Sequence, residues 1–370
     1  MKIIVLSSNT KSLFWFRIDM MREFVKSNHE VIAIGDEESA EWIDRFNLEN
    51  IKYRSVYVKR NGLNPLTDIK TLKNIYEIFK DEQPDKIFVY QAKTVIYGCI
   101  AAKMNRIRDI YPLIAGLGSL FRGTSIKSKL IKKIMTLEYR FSLKYCKFVI
   151  FQNNDDANCF IESNIIEKRK CRLISGSGVD CEKFKVTALP NKTSFLMTAR
   201  LIKDKGVIEY LEACKIIKEK YTDCRCMLIG PYDTNPTAIK PEVIQQYIQL
   251  GVVEYFGEQD DVRDYTSKCS VFVLPSYHEG TPKTVLEAMS MGRSIITTDA
   301  PGCRETVINE TNGFLVDVKN IDSLVEKMTY FIKNPEEAAK MGLKSRQIAE
   351  EKFDVRKVNN SIMEIMNISA

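Results

Sequence analysis

Near its start the chain runs Lys2-Ile3-Ile4-Val5-Leu6-Ser7, an unbroken apolar stretch. A polar loop, a helix-periodic stretch over 13–25 and a second unbroken run, Glu30-Val31-Ile32-Ala33-Ile34-Gly35, follow it. Strands with one wet face alternate apolar and polar residues; strands covered on both faces read as continuous apolar runs. The rhythm continues through 86–90, a helix over 97–104, 111–115 and 148–151. It then restarts, with strands at 194–198, 225–230, 254–256, 271–274 and 294–297 and a helix over 207–220. Strand, loop, helix, strand, written twice, predicts an α/β chain with two parallel, Rossmann-like sheets.

With 370 residues the chain has room for two domains of ordinary size. The break falls in the polar, proline-bearing stretch around Ala188, Leu189 and Pro190, which predicts domains over 1–187 and 193–350. Periodicity makes the C-terminal segment, 353–370, helical and leaves open whether it packs back on the first domain. The uncharged run over 94–102 is far shorter than the ~18–20 apolar residues a membrane span needs. The N-terminus lacks the long apolar core of a signal peptide, so the expectation is a chain kept in the cytoplasm. Its 10 cysteines form no Cys-x-x-Cys pair, and its 2 histidines lie far apart, so no metal site is expected. The net charge of +7 is uneven: residues 1–190 hold 32 Lys and Arg against 22 Asp and Glu, while the rest is slightly acidic. A basic first half suits an anionic partner, whether nucleic acid, a lipid surface or a lipid diphosphate.

In doubly wound sheets ligands bind beyond the carboxyl ends of the strands. The two sheets then predict a cleft between domains, with chemistry in the loops that follow strands. The most informative loop runs from Pro275 through Glu279-Gly280-Thr281-Pro282-Lys283-Thr284-Val285 to Glu287 and Gly292. Thr281 suits a helix N-cap and Pro282 the first helical position. The N–H groups of Lys283, Thr284 and Val285 then form an anion site. Glu279 and Glu287 flank it, and carboxylates accept hydrogen bonds from sugar and ribose hydroxyls. By itself the Glu-x7-Glu spacing fits a capped helix with two surface acids. Framed by Pro275-Ser276 and Gly280-Thr281-Pro282, it points to a nucleotide sugar. A second loop, Arg200 to Lys205-Gly206, follows the first strand of the second domain and offers two cations to a diphosphate.

These motifs resemble the retaining glycosyltransferases of family 4 (glycosyl transferase group 1), which have the GT-B fold. The resemblance covers nearly the whole chain and includes Gly230-Pro231, Phe256-Gly257, Asp299 to Gly302 and, in the first domain, Lys93…Tyr97-Gly98, Gly116-Leu117-Gly118 and Ser175-Gly176-Ser177-Gly178. The first-domain glycine motifs look like the branch that builds capsule, O-antigen and lipid-linked oligosaccharides. The resemblance implies an acceptor-binding first domain and a second domain that binds the nucleotide sugar. Arg200 and Lys205 then hold the donor diphosphate, Glu279 the donor sugar and Glu287 the ribose. The backbone around Gly280–Thr284 lines the sugar and phosphates, and Gly230 with the loop from Gly257 to Val262 frames the base. It implies metal-independent transfer with retention, a UDP-sugar co-substrate rather than a bound cofactor, and a polyprenyl-diphosphate-linked glycan acceptor. A GDP-sugar is the alternative donor. Two departures stand out. The first loop is Ser7-Ser8-Asn9 where many members have Gly-Gly, and near Tyr90 the chain has Gln91 and Lys93 where many have a His. Asn9, Arg17, Gln91, Lys93, Gly116, Gly118 and Arg122 are therefore the acceptor or reaction-centre candidates.

Lys127, Lys129, Lys132 and Lys133 interleave with Ile126, Leu130, Ile131 and Ile134 at helical spacing. Such a helix can pack its stripe into a core or lie on anionic lipid. The basic half and the branch resemblance favour the inner face of the cytoplasmic membrane, with the chain peripheral on it. A dehydrogenase lacks its Gly-x-Gly-x-x-Gly here, and a nucleic-acid binder needs interleaved aromatics and base-reading loops. Nucleotide-sugar epimerisation and phosphorolysis fit the Arg, Lys and Glu pattern poorly. A non-catalytic sugar-nucleotide scaffold requires a decayed site, and Arg200, Lys205, Glu279 and Glu287 are all present.

Overall fold

A computed structural model describes residues 1–59, 64–117 and 126–369, without the side chains of 126 and 127. The chain divides into two compact units, Met1–Ser177 with Val358–Ala370, and Gly178–Lys357.

The first unit alternates β1 (Lys2–Leu6), α1 (Thr10–Lys26), β2 (Glu30–Gly35), α2 (Ala40–Asn47), β3 (Lys52–Ser55), α3 (Pro65–Glu82), β4 (Lys86–Tyr90), α4 (Ala92–Met104), β5 (Asp109–Ile114), α5 (Ile126–Leu143), β6 (Val149–Phe151), α6 (Asn154–Glu162) and β7 (Cys171–Leu173). Its strands pair in parallel in the order β3-β2-β1-β4-β5-β6-β7. Both faces are covered, which is why β1 is apolar at every inner position. Ile3 and Val5 join a core with Leu13, Met21 and Phe24 of α1. Ile4 and Leu6 face a second core with residues of α3, α4, α5 and α6.

The second unit repeats the plan: β8 (Ser194–Thr198), α7 (Val207–Lys220), β9 (Arg225–Ile229), α8 (Pro241–Gln249), β10 (Glu254–Tyr255), α9 (Arg263–Thr266), β11 (Val271–Leu274), α10 (Lys283–Ser290), β12 (Ser294–Thr298), β13 (Gly313–Val316), α11 (Ile321–Lys333) and α12 (Pro335–Ile348). Strand order is β10-β9-β8-β11-β12-β13, again all parallel. A last helix, α13 (Val355–Met366), places Val358, Ile362, Met363 and Met366 in the core that holds Ile3 and Val5. The carbonyl of Met366 accepts from Lys86 Nζ (2.8 Å) and Tyr111 Oη (3.2 Å).

In each sheet the strand order reverses once, between β1 and β4 and between β8 and β11. A parallel sheet opens a crevice at such a point, beyond the carboxyl ends of its strands. No helix of the described residues is long and apolar enough to cross a membrane.

Candidate functional site

In the second unit, the loops after β8 and β11 meet at the switch point. Tyr277 N–H donates to the Asp204 carbonyl (2.9 Å), and buried Ser276 Oγ donates to the same oxygen (3.1 Å). These bonds pin the 199–206 loop to the 275–282 loop. Gly206 makes the approach possible: its φ is +73°, and a Cβ there falls 2.1 Å from the Pro275 carbonyl oxygen. The result sets Lys205 Nζ 2.5 Å from Glu279 Oε1, both side chains mostly buried.

A third loop holds Glu279 in place. Its N–H donates to the Pro301 carbonyl (2.9 Å). Gly302 packs so closely that a Cβ falls 2.2 Å from the Glu279 carbonyl oxygen, with φ at +78°. Arg200 lies on the first loop and pairs with Asp233 at 2.8 Å. Asp233 was not singled out in the sequence; it sits in an irregular loop after β9 with no motif around it. Each expected diphosphate ligand thus has a carboxylate partner in the free protein.

The helix start differs from the expectation. Pro282, with ψ at +110°, is the N-cap of α10, and the helix begins at Lys283. Thr281 is no cap; its hydroxyl lies 3.0 Å from the Gly280 carbonyl oxygen. The proline ring fixes φ but leaves ψ extended, which moves the helix start one residue on. Pro282 offers the helix no side-chain cap, and the N–H of Val285 returns to the Pro282 carbonyl (3.1 Å). Thr284 shares this first turn. The helix stops at Met291, and Gly292 follows at φ +76°.

Glu287 lies farther along α10, with no ion pair among the described residues. Burial pushes its carboxyl up to about 7; Lys283, one turn back, opposes the shift, and Asp261 adds to it. Gly230 N–H donates to the Gly257 carbonyl (2.8 Å), joining the loops after β9 and β10. Val262 caps α9 and is half-buried.

In the first unit, the loops after β1 and β4 are tied by Gln91. Its Oε1 accepts from Ser7 Oγ (2.9 Å), Ser8 N–H (2.9 Å) and Ser8 Oγ (2.6 Å). Gln91 adopts φ +72° and ψ +140°, a conformation that costs a non-glycine residue about 1–3 kcal/mol. Asn9 N-caps α1, accepting from Ser12 N–H at 2.8 Å. Lys93 pairs with Asp68 at 2.6 Å, both largely buried, and so ties α4 to α3. Arg17 is buried in α1. Gly116 follows β5 at φ +112°. Gly118 and Arg122 lie outside the described residues, as does the side chain of Lys127. Lys129 and Lys133 are exposed on α5 and Lys132 is half-buried. Among the described residues no group of three or more His, Cys, Asp or Glu side chains is placed to hold a metal ion.

Two doubly wound parallel sheets are the architecture of the GT-B fold. The chain is a glycosyltransferase: the glycosyl transferases group 1 family model matches residues 180–348, and the glycosyl transferase 4-like model matches 3–153. It is 28% identical over 349 residues to the N,N'-diacetylbacillosaminyl-diphospho-undecaprenol alpha-1,3-N-acetylgalactosaminyltransferase of Campylobacter jejuni, covering 90% of each chain. It is 28% identical over 292 residues to the UDP-Gal:alpha-D-GlcNAc-diphosphoundecaprenol alpha-1,3-galactosyltransferase of Escherichia coli, covering 72% of this chain and 71% of that one. The fold matches Anabaena Alr3699/HepE in complex with UDP at a TM-score of 0.79 and 18% identity, over 99% of this chain and 100% of that one.

Proposed function

We propose that the protein moves a hexose or N-acetylhexosamine from a UDP-sugar to a polyprenyl-diphosphate-linked sugar, with retention, at the cytoplasmic face of the membrane. The observation that carries this reading is the Lys205–Glu279 pair at the switch point of the second unit. In that reading the second unit binds the donor and the first the acceptor. Lys205 and Arg200 turn from Glu279 and Asp233 to the donor diphosphate, and the start of α10 adds its dipole. Glu279, released from Lys205, accepts hydrogen bonds from the donor sugar. Glu287 accepts from the ribose. The glycosidic bond to the diphosphate breaks, negative charge collects on the leaving oxygens, and one of them takes the proton of the attacking hydroxyl on the same face. Preorganised cations lower the energy of that developing charge. The names of the two relatives above support the UDP-sugar and the diphosphate-linked acceptor.

The membrane part rests on α5. Leu130, Ile134, Leu137 and Phe141 form an exposed stripe along it, with Lys129, Lys133 and Arg140 exposed alongside. An apolar stripe between cations suits an anionic lipid surface.

Thermal unfolding with UDP, GDP and a panel of UDP-sugars tests the donor. A ligand at a hundred times its dissociation constant adds about 2.7 kcal/mol of stability. A response to GDP alone moves the donor to GDP-sugars, and no response to any nucleotide sinks the reading. Transfer to a polyprenyl-diphosphate-linked sugar, with the anomeric configuration read by NMR, tests acceptor and stereochemistry.

A further inference from the structure

The second turn of α1 buries a charge that no described residue neutralises. Arg17 is 2% exposed, and its Nε is closed off without a hydrogen-bond partner. No carboxylate pairs with its guanidinium among the described residues. The group lies over two aromatic rings instead, 5.3 Å from the centroid of Tyr90 and 5.6 Å from that of Phe88. Burial lowers its pKa to about 10, partly offset by the Tyr90 phenol, so it stays cationic at neutral pH.

Two comparisons within the chain show how unusual this is. Arg22, one turn on, is held by Asp19 (2.8 Å) and Glu49 (2.5 Å). Arg293, fully buried in the second unit, donates to the carbonyls of Thr266 (3.0 Å) and Thr187 (2.9 Å). Aromatic faces offset part of a cation's desolvation but accept none of the in-plane N–H bonds a guanidinium offers. A buried cation ordinarily has a partner, and one without demands an explanation.

Its position supplies one. Tyr90 ends β4 at the carboxyl edge of the sheet, next to Gln91. Its hydroxyl lies 3.0 Å from Ser12 Oγ in the first turn of α1. Arg17 therefore packs against the strand residue that borders the switch point of the first unit, Tyr90. We propose that Arg17 is the cation of an anion subsite at this edge, and that the anion is a phosphate oxygen of the acceptor's diphosphate. The subsite deepens the function proposed above and rests on its acceptor class. Its aromatic walls hold the guanidinium plane fixed for the incoming oxygens.

The test follows thermal unfolding of the full chain with UDP saturating, so that the donor's own diphosphate site is filled. Farnesyl diphosphate is titrated in, with farnesol as the neutral control. Farnesyl diphosphate is expected to raise Tm and farnesol to leave it unchanged. Arg17→Met is expected to bind farnesyl diphosphate at least tenfold more weakly, with a ligand-free Tm equal to or above that of the wild type. A structural arginine gives the opposite pattern: a lower ligand-free Tm and affinity kept within threefold, which overturns the proposal. So does a wild type that ignores farnesyl diphosphate. If inorganic diphosphate binds as tightly as farnesyl diphosphate, the lipid-linked assignment is overturned. Where Arg17→Met does not fold, Arg17→Gln is read by the same affinity ratio. Absence of any response to UDP is a failure of the proposed donor, and the farnesyl diphosphate ratio is then read without it.

Discussion

The ammonium of Lys205 and the carboxylate of Glu279, 74 residues apart in sequence, meet at 2.5 Å in the free protein. In the function proposed above, the pair opens when a diphosphate takes the lysine and a sugar hydroxyl takes the carboxylate. Lys205→Ala and Glu279→Ala are each expected to cut transfer a hundredfold or more. Each leaves its partner charge partly buried, at a stability cost of about 1–3 kcal/mol. Circular dichroism checks the fold and initial rates the activity. Near-normal turnover in either variant removes the donor site from this loop.

Arg200 is 54% exposed at its side chain, so its pair with Asp233 contributes little to stability, about 0–1 kcal/mol. In the proposed function Asp233 instead competes with the donor for the guanidinium. Asp233→Asn is expected to leave Tm nearly unchanged and to tighten UDP binding by about two- to fivefold, whereas Arg200→Ala weakens it tenfold or more. Calorimetric titration of UDP distinguishes the two. Weaker UDP binding in Asp233→Asn assigns Asp233 to the binding site rather than to competition.

Glu287 carries a pH dependence. Its folded pKa, about 7, lies above the ordinary value of 4.5. The folded state therefore holds a proton that the unfolded chain releases between those values. The stabilisation this gives is fully present below about 4.5 and is lost as pH rises through 7, on the order of 1–3 kcal/mol. The ribose binding proposed for Glu287 uses the ionised carboxylate and is expected to run the other way, weakening as pH falls through 7. Glu287→Gln is expected to raise stability at pH 8, to flatten its pH profile, and to weaken UDP at pH 8 while matching the wild type at pH 5. Denaturant midpoints and UDP titrations at pH 5, 7 and 8 measure both.

Gly302 makes the position of Glu279 possible. Gly302→Ala puts a methyl group 2.2 Å from a backbone oxygen at a φ that alanine avoids. The expected loss is about 2–4 kcal/mol of stability, with activity falling further than stability because Glu279 shifts. A variant with wild-type kinetics shows that the 279–280 backbone relaxes freely.

On α5, Leu130→Ser with Leu137→Ser is expected to leave the stability within about 0.5 kcal/mol of the wild type, since both side chains are exposed. Sedimentation with anionic vesicles is expected to drop severalfold, as it does for Lys129→Glu with Lys133→Glu. Equal recovery with neutral and anionic vesicles counts against a lipid-facing α5.

Strands buried on both faces were legible because burial leaves them no polar positions; β1, β2, β4, β8 and β11 all read as apolar runs. The strands that pattern reading passed over, β3, β7 and β13, all end a sheet. β3 buries only Tyr53 fully, and β7 leaves Leu173 exposed, so their sequences carry no such run. Lys205, Arg200, Glu279 and Glu287 were legible as types at fixed spacings within single loops. What sits against them was not. Asp233 reaches Arg200, and Ser7 and Ser8 reach Gln91 across 83–84 residues, because strand order brings separate loops to one edge. The charge state of Glu287 and the isolation of Arg17 depend on burial, which neighbours from many parts of the chain decide together. Local pattern determined the elements and the chemical groups; tertiary packing decided which of those groups are paired, strained or left without a counterion.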